Sequence, residues 1–292
     1  MDNRCIKWLH VPAGTLFWRV EIQLQRQKLD LGNLRLLDLS HSFELTRVPD
    51  LSSVPNLEFL RLSRCLSLIE IPSSIGELKC LKELNLSVCS KLHSIPRSIC
   101  NLKSLTLLDI SCCRNVNGLP ENIGNLELLQ KLEISSSRIK ALPSSINQLK
   151  NLASLVCSGC EGLTLPPLTE HEVKDGTATF LEFRNCINLE KEKVMEDVLE
   201  THLLKDEIVE LCIPGDEVPQ RMRYKNQSGS SISFTLDKPN LIGVSLCLVF
   251  YPKNHYVSPG LLFVADSALE AFVCNFSAEF AAALSTFICC LL

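Results

Sequence analysis

No run of lysine or arginine occurs in this chain, and 29 basic against 33 acidic residues leave a net charge of -4. A nucleic-acid binder needs a basic stripe to neutralise phosphates, so nothing favours that partner class. No G-x-x-x-x-G-K-[ST] is present, and with it goes the loop that cradles a nucleotide's phosphates. The six histidines are scattered, and no Ser/His/Asp constellation stands out. The N-terminus lacks a basic segment leading a clean apolar core, since Pro12 and Arg19 interrupt it, so no secretory signal is expected. The last uncharged run, Phe280–Leu292, has 13 residues, fewer than the roughly 20 that span a bilayer as a helix. Cysteine is the exception to this scarcity, at 15 residues. An odd count, no leader and a regular placement argue for reduced thiols in the cytosol rather than a disulfide scaffold. The sequons at Asn85, Asn226 and Asn275 then read as chance matches.

What is present is a period. Leu34, Leu57, Leu81, Leu105, Leu129 and Leu152 stand 23, 24, 24, 24 and 23 residues apart. Each opens a unit of the form L-x-x-L-x-L-S-x-C/S. The fourth position holds Leu37, Leu60, Leu84, Leu108, Leu132 and Leu155, and the sixth Leu39, Leu62, Leu86, Ile110, Ile134 and Cys157. Alternation at period two puts both on the inner side of a short strand. The ninth position, Ser42, Cys65, Cys89, Cys113, Ser137 and Cys160, calls for a small inward group that hydrogen-bonds the backbone at the bend. A proline follows in every unit (Pro49, Pro72, Pro96, Pro120, Pro143, Pro166), ending the strand. I-x-x-L then appears in four units, from Ile75, Ile99, Ile123 and Ile146, a spacing that suits a short helical or 3₁₀ segment on the convex side. Each unit can bury its apolar face only by stacking on its neighbours, so the expected fold is an α/β solenoid, a leucine-rich-repeat horseshoe with a parallel concave sheet.

The boundaries follow from this pattern. Residues 1–29, with strand-like alternation at Val20, Ile22 and Leu24 and apolar Trp8, Leu9 and Val11, read as degenerate repeat material. Residues 30–189 form the repeat domain of six regular units. A terminal seventh, starting at Ala178, places Leu181, Phe183, Cys186 and Leu189 at the right offsets but has Arg184 where the others have serine. Residues 190–207, with Val194, Val198, Leu199 and Leu203 at helical spacing, form a linker helix. Residues 208–260 read as a small β module: Ile208–Ile213 is strand-like, Pro214–Pro219 a turn, Ile232, Phe234 and Leu236 alternate, and Leu241–Phe250 is an apolar strand. The apolar tail, 261–292, has two readings, an amphipathic helix over an open sheet or translated non-coding sequence. The second is preferred, because an incomplete β module leaves unpaired edges.

A period of this kind points to recognition rather than catalysis. Cys157-x-x-Cys160 occupies two core positions and has no second pair, so it reads as structural rather than as half a zinc site. The adjacent pairs Cys112-Cys113 and Cys289-Cys290 have poor geometry for a shared metal. No metal, cofactor or catalytic residue is assigned. The residues predicted to point out of the concave face vary while the framework repeats. They are Asp38, Arg61, Asn85, Asp109 and Glu133 at the fifth position, His41 and Arg64 at the eighth, and Leu36, Phe59, Leu107 and Lys131 at the third. The apolar members Leu36, Phe59 and Leu107 on one exposed stripe favour a protein partner.

The repeat form with Ile71–Leu78 (I-P-S-S-I-G-x-L) resembles the repeats of the TIR/nucleotide-binding/leucine-rich-repeat disease resistance proteins of plants. Phe183-Arg-Asn-Cys186-Ile-Asn-Leu189 resembles that class's closing repeat. Pro214-Gly215-x-Glu217-Val218-Pro219 followed by Gly229-Ser230-Ser231-Ile232 resembles the start of its C-terminal jelly-roll/Ig-like module. The likeness covers about residues 30–255. Gln220-Arg221-Met222 stands where the class often has an aromatic pair, and the module is expected to stop short near Gly260. The resemblance implies a non-catalytic recognition part of an intracellular immune receptor, cytoplasmic or nuclear. Its partner would be a pathogen effector, a guarded host protein or a receptor's nucleotide-binding domain. The class's NAD-cleaving and nucleotide-switch domains are not expected within these residues. The alternative is a free-standing cytosolic leucine-rich-repeat scaffold without an immune switch.

Overall fold

The computed structural model describes residues 5–7, 31–48, 50–166, 179–202, 209–214, 244–250 and 284–291. Strands β2 (Leu36–Asp38), β3 (Phe59–Arg61), β4 (Glu83–Asn85), β5 (Leu107–Asp109), β6 (Lys131–Glu133) and β7 (Ser154–Val156) are each three residues long. They are the third to fifth positions of the six units, and they pair in parallel without a shift: Leu37 opposite Leu60, Leu84, Leu108, Leu132 and Leu155 in turn. Unit length sets this register, because the same residue of each turn of the solenoid returns to the same height. β1 (Cys5–Lys7) pairs with β2 on one side, and β8 (Thr179–Glu182) pairs with β7 on the other. The expected strand at Val20–Leu24 and the apolar Trp8–Val11 lie outside the described residues.

The core is a column of leucines. Positions one, four and six are buried in every unit, and the ninth-position cysteines Cys65, Cys89, Cys113, Cys160 and Cys186 are fully enclosed. Each buried leucine contributes about 1.5–3 kcal/mol before entropy. The ninth-position thiols form a ladder. Sγ of Cys65 donates to the carbonyl of Leu39 at 3.2 Å, Cys89 to Leu62 at 3.1 Å, Cys113 to Leu86 at 3.1 Å, Cys160 to Ile134 at 3.3 Å and Cys186 to Cys157 at 3.1 Å. The carbonyls of Leu39, Leu62, Leu86 and Cys157 thus accept both from the next unit's thiol and from their own unit's ninth N–H, as at Leu62, where Cys65 N donates at 3.3 Å. A carbonyl has two lone pairs, so both bonds can form at once. Burial pushes the thiols of Cys65, Cys89 and Cys113 up to about 12, which keeps them protonated donors. Cys157 and Cys160 both lie in this core.

The return path runs through 3₁₀ turns at Ser73–Glu77, Arg97–Asn101, Ile123–Asn125 and Ser144–Gln148. Pro72, Pro96 and Pro143 precede three of them with φ near -66° and extended ψ, as an N-terminal proline requires. These turns stack closely. A Cβ on Gly124 would lie 2.2 Å from the Ser145 carbonyl oxygen, so only glycine fits.

Beyond the repeats, α1 (Lys191–His202) buries Val194, Met195 and Val198; of the residues expected at helical spacing, Leu203 lies outside the described residues. β9 (Val209–Pro214) pairs in parallel with β8, burying Leu211 and Ile213. β11 (Leu284–Leu291) follows β9 in the sheet, and β10 (Val244–Phe250) follows β11, both in parallel. The described part of the tail, Leu284–Leu291, is a sheet strand, whereas the less favoured of its two readings was a helix laid over the sheet. The strands described within 208–292 extend the solenoid's parallel sheet. The β-branched and cysteine-rich run at 284–291 suits a strand between two neighbours. Residues 215–243 and 251–283, with most of the Pro214–Pro219 turn and the Ile232–Leu236 alternation, lie outside the described residues.

Candidate protein-binding surface

Each regular strand buries its middle residue and leaves the third and fifth positions half-exposed, except that β7 also buries Val156. Register then makes two columns across the sheet. One runs Leu36, Phe59, Glu83, Leu107, Lys131; the other runs Asp38, Arg61, Asn85, Asp109, Glu133. All ten stand at the third or fifth position of the repeat, Glu83 at the third like its neighbours Phe59 and Leu107. Arg61 Nε donates to Glu83 Oε1 at 2.9 Å, and its Nη2 to Oε2 at 3.3 Å, a two-pronged bond linking neighbouring strands. Lys131 pairs with Glu133 along its own strand.

His41 and Arg64 are placed differently. They are exposed, but they stand at the rim, where the chain leaves the strand. The eighth residue of every regular unit is in the left-handed region: His41, Arg64, Val88, Cys112 and Ser136 with φ of 54–63°, and Gly159 at 72°. Non-glycine residues there cost about 1–2 kcal/mol. The reason is a hydrogen bond. In this conformation the eighth N–H reaches the seventh carbonyl of the next unit: His41 to Ser63, Arg64 to Ser87, Val88 to Ser111 and Cys112 to Ser135, at 2.7–2.8 Å. The ladder therefore continues three residues past each strand.

The fifth position also has a local task that periodicity did not disclose. The Oδ1 of Asp38, Asn85 and Asp109 accepts the N–H of Ser40, Ser87 and Ser111, at 2.9–3.0 Å. A short carboxylate or amide followed two residues later by serine is the signature of a side-chain turn, and it was readable in the pairing of Asp or Asn with Ser. Asp109 has a cost attached. Burial, and then Glu133 directly across in the next strand, push its carboxyl above the usual range against the Ser111 bonds. At the far end Glu182, buried, accepts from Ser158 Oγ at 2.6 Å and pairs with Arg184. This explains the exceptional arginine: it neutralises a carboxylate enclosed by β9. Among the described residues, no group of three His, Cys, Asp or Glu side chains gathers as a metal site would require.

A parallel sheet with variable half-exposed columns over a repeating apolar core defines a leucine-rich-repeat fold. No family model matches the chain. By sequence it is similar to disease resistance proteins of plants. It is 44% identical to RPS6 of Arabidopsis thaliana over 72 residues, covering 22% of this chain and 6% of that protein. It is 39% identical to RML1B of the same species over 93 residues, 27% and 9%. To RPV1 of Vitis rotundifolia it is 47% identical over 57 residues, 20% and 4%. The chain thus spans less than a tenth of the length of these relatives. Solved structures with likeness to it include the repeat ectodomain of the receptor kinase GASSHO1/SCHENGEN3 of Arabidopsis thaliana, at 22% identity and TM-score 0.37 over 54% of this chain and 21% of that one. The repeat domain of the type III effector XopL gives 22% and 0.33 over 50% and 67%. The repeat architecture itself rests on the strand ladder described above.

Proposed function

We propose that this chain is the protein-recognition part of a plant immune receptor. On this reading its concave columns bind a pathogen effector, a guarded host protein or a receptor's own nucleotide-binding domain. One observation carries the reading: two register-aligned columns of varied, half-exposed side chains stand over a framework that repeats almost without change. The stretches of about 40–50% identity with disease resistance proteins support the immune context. The cytoplasm or nucleus is the compartment that follows, where the reduced cysteine ladder would persist. No helix among the described residues is long and apolar enough to cross a membrane.

The test is capture of co-expressed effectors and host proteins by the full chain, compared with the variant Phe59→Ser/Leu107→Ser/Asp109→Asn. Asparagine preserves the bond to Ser111, so loss of binding would report the surface rather than a broken bend. Partner capture lost with the melting temperature within a few degrees supports the reading. Capture that survives the triple variant refutes it. The scaffold alternative predicts binding that persists without residues 208–292. Because β9 covers the edge of β8, that truncation should stop at Pro214, keeping the covering strand.

A further inference from the structure

Just past each left-handed bend, a second row of side chains runs along the flank of the solenoid. Its tenth-position members are Phe43, Leu66, Ser90, Arg114, Arg138 and Glu161, all outside the concave columns. Inter-unit bonds hold this row in step. Ser67 N donates to the Phe43 carbonyl at 3.1 Å, Ser90 Oγ to the Leu66 carbonyl at 3.3 Å and Arg138 N to the Val116 carbonyl at 3.1 Å. Three residues after Leu66, Ile69 joins it, hydrogen-bonded through its N–H to Thr46 at 3.0 Å.

The row is chemically divided. Its first part exposes large apolar side chains: Phe43 is 39%, Leu66 38% and Ile69 41% accessible, among the few large hydrophobics the described surface leaves open. Its second part is cationic. Arg114 and Arg138 are exposed, with Lys140 beside them, and none makes an ion pair among the described residues. On a chain of net charge -4, three exposed cations with no ion pair among them are a local excess of positive charge, bounded one unit further on by Glu161. At about 4.8 Å per unit, Phe43 to Arg138 spans about 20 Å, the length of roughly six residues of extended chain.

We infer that this flank is a docking surface for an extended protein segment with apolar residues at one end and acidic residues at the other. The apolar end lies on Phe43, Leu66 and Ile69. Its carboxylates meet Arg114, Arg138 and Lys140. Glu44 and Glu161 stand exposed at the two ends of the row. An anionic bilayer would have to cover both acids, whereas a six-residue segment reaches from Phe43 to Arg138 and ends short of Glu161. The surface is separate from the concave columns and stands whether or not those bind a partner.

The test uses the full chain and a fluorescein-labelled peptide of three leucines, a glycine and four glutamates, followed by anisotropy. Saturable binding that weakens with salt is expected, with none for the same peptide carrying lysines. Arg114→Glu/Arg138→Glu should weaken it roughly tenfold, Arg114→Gln/Arg138→Gln less, and Phe43→Ser/Leu66→Ser at least as much, while Phe59→Ser on the concave face leaves it unchanged. Three results overturn the inference: flank variants of native melting temperature that bind equally well, loss caused only by the concave variant, or binding confined to phosphatidylserine vesicles with none to the peptide.

Discussion

Replacing Asp109 by asparagine should stabilise the free chain. Asp109 is half-buried on β5 and lies directly across from Glu133 of β6. Burial raises its carboxyl first, and the Glu133 charge raises it further. The useful part of its side chain is one oxygen, which accepts the Ser111 N–H at 2.9 Å. Asn85, in the same slot one unit earlier, makes the same bond to Ser87 at 3.0 Å with a neutral amide. Asp109→Asn therefore keeps the bend and removes a like charge directly opposite another, which is worth about 0.2–1 kcal/mol. That corresponds to a rise in melting temperature of about 1–3 °C for a domain of this size. The pH dependence has a definite sign. A carboxyl raised in the folded state takes up its proton before the unfolded chain does, so its penalty is full above the folded pKa and is relieved as pH falls through it. The gain from asparagine should be largest near neutral pH and shrink on acidification. Paired thermal melts of wild type and variant across pH 3–8 measure this. A variant less stable than wild type at neutral pH, or a difference that does not change with pH, would refute the reasoning.

Further outcomes follow from the stack. Leu108→Ala, at the centre of the leucine column, should cost about 2–5 kcal/mol, measured by urea unfolding; a loss under 1 kcal/mol would mean the column collapses around the gap. Gly124→Ala must displace the Ser145 carbonyl, and a destabilisation of about 1–3 kcal/mol is expected, read from the same urea curves; a neutral result would show that the 3₁₀ turns slide. Brief alkylation of the native chain at pH 8 should modify exposed Cys80 and partly open Cys112, and spare Cys65, Cys89 and Cys113, whose thiols are buried and held up to about 12. Peptide mass mapping reads this directly, and early modification of Cys89 would contradict the ladder.

The spacing of leucines, the ninth-position cysteines and the prolines determined the repeat, its strand and its return path without reference to any contact. Each is a local rule applied at a fixed interval, and stacking identical turns leaves little else for the backbone to do. The columns Leu36 to Lys131 and Asp38 to Glu133 were legible for the same reason: alternation places the third and fifth residues opposite the fourth. Only the tertiary structure decided what depends on the next unit. The left-handed bend at His41, Arg64, Val88, Cys112 and Ser136 has no residue signature, since five different side chains adopt it for one inter-unit hydrogen bond. Arg61 meeting Glu83 joins residues 22 apart, and Arg184 neutralising the enclosed Glu182 and the raised carboxyl of Asp109 follow from burial and from a neighbouring strand. The parallel placement of Leu284–Leu291 between β9 and β10 is the extreme case. An apolar run states that it will be buried, but the strand that buries it is chosen by which sheet edge is open, and that edge exists only once the solenoid has formed.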